Sequence, residues 1–374
     1  MLIKNGLVFR EDFSLREGDV YTEFDRIIEP KQQLDVLDAS GCIVAPGFID
    51  IHIHGANRSD FCENSLEAHA NIARYLASVG VTSYLGTTMA MKKPALLDMV
   101  RTAGKFMDHP TQDGAIMRGI NLEGPFASLE KKGAMDPNNL IDPDYDFFVQ
   151  LNDACDGRIR LNDVAPELPG ALDLIARTSK ICVVSLHHTA ADYELAKKAF
   201  MLGASHVTHL YNAMSGFSHR APGLIGAAAD FARSVELISD GHHVHPAAVR
   251  IAFKIFGDDR VCLISDAMMA CGMPDGDYEL VGQKVKVTDG LATLASGTIA
   301  GSATPLTESF RRAVVKFGIP VESALRAATA NPARVLSMQD EIGSIAVGKR
   351  ADLTLFDAET LEVRHCVLGG KLLF

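Results

Sequence analysis

From residue 41 onward, short apolar runs rich in β-branched residues alternate with amphipathic segments, and no other feature constrains the chain as tightly. The runs are "CIVAPGFIDIHIH", "TSYLGTT", "IMRGINLEGPF", "RIRLNDVAPE", "KICVVSLHHT", "SHVTHLYN", "SVELISDG" and "VCLISDA". Between several of them lie "SLEAHANIARYLASVG", "PALLDMVRTAGKFMD", "DYELAKKAFMLG" and "PAAVRIAFKIFG", with apolar positions three and four apart and glycine near the ends. Strands separated by helices imply right-handed crossovers and a parallel sheet. Eight strands suit a closed α/β barrel, a (β/α)8 barrel of the TIM type, better than an open sheet.

The two ends behave differently. "MLIKNGLVF", "DVYTEF" and "RIIEP" at one end and "IGSIAVGKRADLTLFDAETLEVRHCVLGGKLLF" at the other are strand-like, with glycine-rich turns. They suggest one small discontinuous β-sandwich domain built from both termini. The expected organisation is 1–47 for its first part, 48–274 for the barrel and 341–374 for its last part, with 301–340 as C-terminal barrel helices. Residues 275–300, with an Asp-Gly turn in "KVTDGLATL", read as a hairpin that joins the small domain.

A net charge of −11 over 374 residues argues against nucleic acid or an anionic membrane as partner, since both demand a basic footprint. Seven scattered cysteines with no C-x-x-C pair read as reduced thiols. No apolar run is long enough to span a membrane, and the start has no signal-peptide pattern, so the expected location is cytoplasmic.

The residues able to do chemistry fall at the C-terminal ends of the runs. Run 1 ends in His52 and His54, run 3 in Glu123, run 5 in His187 and His188, and run 6 in His209. Run 7 ends in Asp240 with His243 beyond it, and run 8 in Asp266. In a barrel these ends share one rim, where active sites form. His52 and His54, two apart on a strand, point to one face. Imidazoles and carboxylates without a cysteine suit a divalent cation in an open, catalytic site. Such a cation lowers the pKa of water from about 15.7 to about 7. A carboxylate outside the ligand set can then move protons, and Asp266 is the candidate. His69, His109 and His365 lie elsewhere and are expected to be solvated or structural.

These residues resemble the amidohydrolase superfamily and, within it, the N-acetylglucosamine-6-phosphate deacetylases. The likeness is carried by "APGFIDIHIHG", "GINLEGPF", "KKGAM", "HHTAA", "THLYNAMS", "HRAPGLIGAA", "SDGHHVHP", "LISDA" and "GSIAVGKRADLTLFD". The resemblance implies Glu123, His188 and His209 as principal metal ligands, His52 and His54 as holders of a second ion, and Asp266 as the catalytic aspartate. One or two divalent ions are implied, with zinc first and iron, manganese or cobalt as alternatives. It implies a sugar phosphate held by Asn212, Ala213 and Arg220, and by His243 reaching in from the partner of a homodimer.

Three departures bear on the substrate: Met135 stands in place of a histidine, His187 in place of a glycine and Ala221 in place of an acidic residue. The expected reaction is deacetylation of N-acetylglucosamine 6-phosphate. The alternatives are the galactosamine epimer or another N-acyl compound, and a non-catalytic sugar-phosphate sensor. "RIRLNDVAPE" lacks the lysine that bridges two metals in hydantoinase-like enzymes.

Overall fold

The computed structural model describes residues 1–32 and 34–374. Its centre is an eight-stranded parallel sheet of β1 (Phe48–Ile53), β2 (Val81–Thr87), β3 (Ile116–Leu122), β4 (Ile159–Val164), β5 (Val183–Leu186), β6 (Ala204–Val207), β7 (Ser234–Ile238) and β8 (Val261–Ile264). The strands follow one another in chain order. At the seam between β8 and β1, the Asp266 N–H donates to the His52 carbonyl at 3.0 Å and the His54 N–H to the Ala267 carbonyl at 2.8 Å. The backbone of three expected site residues therefore closes the cylinder.

Helices α1 (Leu66–Ser78), α2 (Lys93–Asp108), α3 (Tyr145–Ala154), α4 (Ala171–Thr178), α5 (Tyr193–Met201), α6 (Gly223–Phe231), α7 (Pro246–Arg260) and α8 (Leu306–Val315) follow the strands in turn. Their starts are encoded locally: the Ser65, Asp144 and Asp192 side chains accept N–H bonds from Ala68, Phe147 and Leu195, and Pro94 opens α2. Each helix lays an apolar stripe on the sheet, as α1 does with Ile72, Ala73 and Leu76. After α8, α9 (Val321–Ala328) and α10 (Ala330–Val335) cover the bottom of the barrel, where Ala333 and Leu336 pack with Ile49, Ile51 and Ile264. Among the described residues no helix is long and apolar enough to cross a membrane.

The two chain ends form one mixed sheet, with Leu353–Asp357 antiparallel to Cys42–Pro46 and Leu2–Phe9 parallel to the same strand. This sheet encloses its own apolar core of Ile3, Val8, Val20, Val44, Leu353 and Leu355. A triangle of Phe48, Phe310 and Phe356, with ring centroids 5.1–5.2 Å apart, joins it to β1 and α8. Each aromatic pair contributes roughly 0.5–1.5 kcal/mol beyond area burial.

The expected hairpin departs from its assigned place. Gly276–Leu280, Gln283–Thr288 and Leu291–Leu294 make a separate three-stranded sheet, with the Asp289-Gly290 turn at positive φ as its sequence requires. It is not part of the terminal sheet because its apolar face has a nearer partner. Leu280, Val285, Val287 and Ala292 bury against Met89, Met135, Met268 and Ala300 at the barrel mouth.

His69 is structural rather than solvated. It is fully buried between Phe61 and Phe106, and neither ring nitrogen has a hydrogen-bond partner. Burial lowers its pKa from 6.5 to about 4. Between those values the unfolded chain carries the extra proton, so stability falls as pH drops through the window. His69→Leu is expected to remove up to about 3 kcal/mol of that acid loss. Urea unfolding of both proteins at pH 7 and near pH 4 checks this, and an unchanged difference between the two proteins contradicts it.

Candidate metal and substrate site

Every candidate ligand arrives from the C-terminal end of a strand. Glu123 directly follows β3, while His188, His209 and Asp266 each lie two residues past the end of β5, β6 and β8. These last three have positive φ, of 37°, 30° and 48°. That is an uncommon conformation for a residue with a side chain, and each instance costs on the order of 1–3 kcal/mol. It turns the chain sharply off the strand while the side chain stays over the barrel axis. Gly133, at φ +55°, lets its loop lie against the His188 ring, where an added Cβ would come within 3.0 Å of Cε1.

The result is a cluster centred on the Glu123 carboxylate. Its Oε1 lies 3.2 Å from His188 Nε2 and 3.0 Å from His209 Nε2. Its Oε2 lies 3.1 Å from His54 Nε2 and 3.6 Å from His52 Nε2. Asp266 Oδ1 is 3.2 Å from His54 Nε2 and 3.4 Å from His52 Nε2, and the two histidine Nε2 atoms are 3.3 Å apart. All these side chains are buried or nearly so.

The outer nitrogens decide the protonation. His188 Nδ1 meets the Lys131 carbonyl at 2.7 Å, and His54 Nδ1 meets the Thr87 carbonyl at 3.3 Å. His52 Nδ1 meets Glu236 Oε2 at 2.9 Å. Carbonyl and ionised carboxylate oxygens only accept, so each Nδ1 holds a proton. In a neutral ring, Nε2 is then a bare lone pair aimed at a carboxylate oxygen. Only positive charge resolves that conflict.

Protons could supply part of it. Burial alone would lower the pKa of His54, but Asp266 and Glu123 push it up to about 9. Burial likewise opposes a raised pKa at His52, which Glu236, Glu123 and Asp266 overcome. Burial would raise the pKa of Glu123, yet His52, His188 and His209 hold it well below the usual carboxylate range. A proton cannot satisfy four converging ring nitrogens at once, whereas a divalent cation can take them as ligands. Glu123 with His188 and His209, and Glu123 with His52 and His54, each bring three ligand atoms within 4.8 Å of one another. The donor set fits a cation.

Above the cluster opens a cavity of about 350 Å³. His54, Glu123, His188, His209 and Asp266 form its floor, and Asn212, Ala213, Lys131 and His243 line its sides. Met135, Met89, Leu280 and Ile299 add an apolar wall. The departure at position 135 therefore faces whatever the cavity holds.

His243 lines the cavity of its own chain. Asp240 fixes it there, with Oδ2 at 2.7 Å from His243 Nδ1 and Oδ1 accepting the N–H bonds of His242 and His243 at 2.9 Å. Arg220 and Ala221 are exposed on a loop and are not among the residues lining the cavity. His187 also departs: it is fully buried and does not line the cavity.

Sequence reasoning missed Glu236, His206 and Lys131. Glu236 is fully buried in the middle of β7, where it binds His52 Nδ1, His206 Nε2 at 3.2 Å and the His209 N–H at 3.0 Å. Burial would raise its pKa, but His52 and His206 bring it to about 2. A carboxylate inside an apolar strand needs buried partners, and that was the available signal.

Comparison with known proteins agrees with this geometry. The model of the amidohydrolase family matches residues 43–373. The chain is 35% identical over 379 residues to N-acetylglucosamine-6-phosphate deacetylase of Bacillus subtilis (strain 168), covering 100% of this chain and 94% of the relative. It is also 35% identical over 344 residues to N-acetylgalactosamine-6-phosphate deacetylase of Escherichia coli O157:H7, covering 91% and 90%. Among solved structures it resembles a mutant N-acetyl-D-glucosamine-6-phosphate deacetylase of Mycobacterium smegmatis in complex with N-acetyl-D-glucosamine-6-phosphate. That match has a TM-score of 0.93 at 32% identity and covers 100% of this chain and 99% of the other.

Glu236→Gln removes the charge that holds two histidines and turns an acceptor into a donor facing a ring N–H. It is expected to destabilise the fold by roughly 3–5 kcal/mol, the usual cost of breaking a buried pair. Denaturant unfolding checks this, and a loss below about 1 kcal/mol contradicts the role given to Glu236.

Proposed function

The chain belongs to the amidohydrolase family, and from that premise we propose that it hydrolyses the acetamide of an N-acetylhexosamine 6-phosphate. N-acetylglucosamine 6-phosphate is the first substrate, and the products are acetate and the amino-sugar phosphate. The observation that carries this reading is the meeting of Glu123, His188, His209 and Asp266 on the floor of one cavity. Relatives of about the same length and one-third identity carry this activity in their names.

Glu123, His188 and His209 would hold one divalent cation, and His52 and His54 with Glu123 a second. Zinc suits imidazole and carboxylate donors, and iron, manganese and cobalt accept the same set. When bound, the cation supplies Lewis acidity that polarises an amide carbonyl and makes water a nucleophile at neutral pH.

The protein's own residues do the rest. Burial would raise the pKa of Asp266, but His52 and His54 hold it below the ordinary value, so it is ionised and able to accept a proton. Asp266 takes a proton from the attacking water as its oxygen bonds to the acetyl carbon. It then gives that proton to the sugar nitrogen as the C–N bond breaks, and the nitrogen leaves as a neutral amine. The presence of Asp266 at the cavity floor favours an enzyme over a sugar-phosphate sensor.

Asn212, Ala213 and His243 are assigned to the phosphate; Lys131, whose ammonium pairs with Glu130 at 3.2 Å, lines the same cavity. Arg220, exposed outside its own cavity, would meet a phosphate only in the cavity of a second copy, and the expected homodimer, in which His243 completes the neighbour's phosphate site, would bring it there. Sedimentation equilibrium finding only monomer would remove this part. Seven free cysteines fit a reducing, cytoplasmic setting.

Asp266→Asn is expected to keep its bound metal, measured by elemental analysis, while acetate release falls by about 10²–10⁴-fold. Substantial turnover in the asparagine variant contradicts the proton-carrier assignment. The galactosamine epimer remains a second substrate because a relative bearing that name is equally similar and Met135, a poor hydrogen-bonding group, faces the cavity. Met135→His is expected to shift the ratio of kcat/KM values toward the glucosamine substrate by about tenfold, the effect of about 1.4 kcal/mol. Acetate assays on both sugar phosphates, with and without chelator, read this out, and an unchanged ratio removes residue 135 from specificity.

A further inference from the structure

We propose that the barrel holds a further cation site, deeper than the cavity floor, made by Glu123, Asp163 and His187. Asp163 lies on β4, and His187 directly follows β5, the neighbouring strand. Both side chains are fully buried, and Glu123 is 2% exposed. One ligand atom from each of the three residues comes within 4.8 Å of the others.

The hydrogen bonds around this group are incomplete in a way that singles it out. Neither nitrogen of His187 has a partner, and Asp163 Oδ1 has none either. Asp163 Oδ2 accepts from the Thr208 hydroxyl at 3.0 Å, and that hydroxyl also meets Ser185 Oγ at 2.6 Å. The Thr208 and Ser185 hydroxyls thus fix one oxygen of the carboxylate and leave the other free. His187 Nδ1 is 3.8 Å from Asp163 Oδ2, beyond hydrogen-bond reach. A buried polar group left unpartnered costs about 1–3 kcal/mol, and two such groups side by side form an expensive arrangement unless something sits between them.

Two carboxylates and a neutral imidazole are a donor set for zinc, manganese or iron(II). The orphaned ring alone would not carry the argument. His69 is also without partners, but it lies between Phe61 and Phe106, with no carboxylate in any metal-binding group with it. His187 differs because two acidic side chains converge on it. The site shares Glu123 with His188 and His209, so a cation here would be bridged to one in the upper site. It does not depend on which substrate the enzyme takes.

Anomalous diffraction at the zinc edge, from crystals of the full chain equilibrated with zinc and then washed, tests this without reference to turnover. The expected result is a peak within about 2.0–2.2 Å of both Asp163 and His187, the usual zinc–ligand distance. Separately, zinc content is expected to fall by one equivalent per chain in Asp163→Asn and in His187→Gln, measured on folded, monodisperse protein. A water molecule or no density between the two side chains in the wild-type crystal overturns the proposal, whether or not the variants fold. So does unchanged zinc content in both variants.

Discussion

Four imidazole nitrogens aimed at a single buried carboxylate form the constraint on which the rest of the molecule depends. Glu123 is faced by His52, His54, His188 and His209, whose outer nitrogens are tied where partners exist to groups that only accept. A protein left with that arrangement and no positive charge would set lone pair against lone pair in a dry interior. The geometry makes sense as a cradle for a cation. It can be built only where strands distant in sequence end side by side, and the rim of a closed parallel barrel is such a place.

Holding the cradle open is the work of groups outside the set of converging ligands. Glu236 orients His52 and the backbone of His209, while the carbonyls of Thr87 and Lys131 fix the tautomers of His54 and His188. Asp240 does the same for His243 on the cavity wall. Three of the inward-pointing residues sit in left-handed backbone, a conformation the sheet must impose on them. The seam hydrogen bond from Asp266 to the His52 carbonyl shows how closely scaffold and site are joined, since it closes the barrel and positions the Asp266 carboxylate together.

Much of this was legible in the chain because its information is local. Alternating runs and helical spacing disclosed the barrel, and the position of each polar residue at the end of an apolar run disclosed the rim. Glu236, His206 and Asp163 were less visible because each lies inside a short strand rather than past its end, and only the third dimension supplies its partners. The 275–300 hairpin had the right strands and the right turn, but which apolar surface covers it is a tertiary choice that its composition does not encode. Met135 departs from the family pattern, and its place on the cavity wall gives that departure a physical meaning.

The central claim is that a cation bound only by nitrogen and oxygen occupies the rim cluster. X-ray absorption on the isolated protein, at the edge of whichever metal elemental analysis finds, tests it most directly. The account predicts a first shell of nitrogen and oxygen at about 2.0–2.2 Å with the outer-shell scattering of imidazole. A sulfur shell at about 2.3 Å, or protein that retains no metal after gentle desalting, would contradict it.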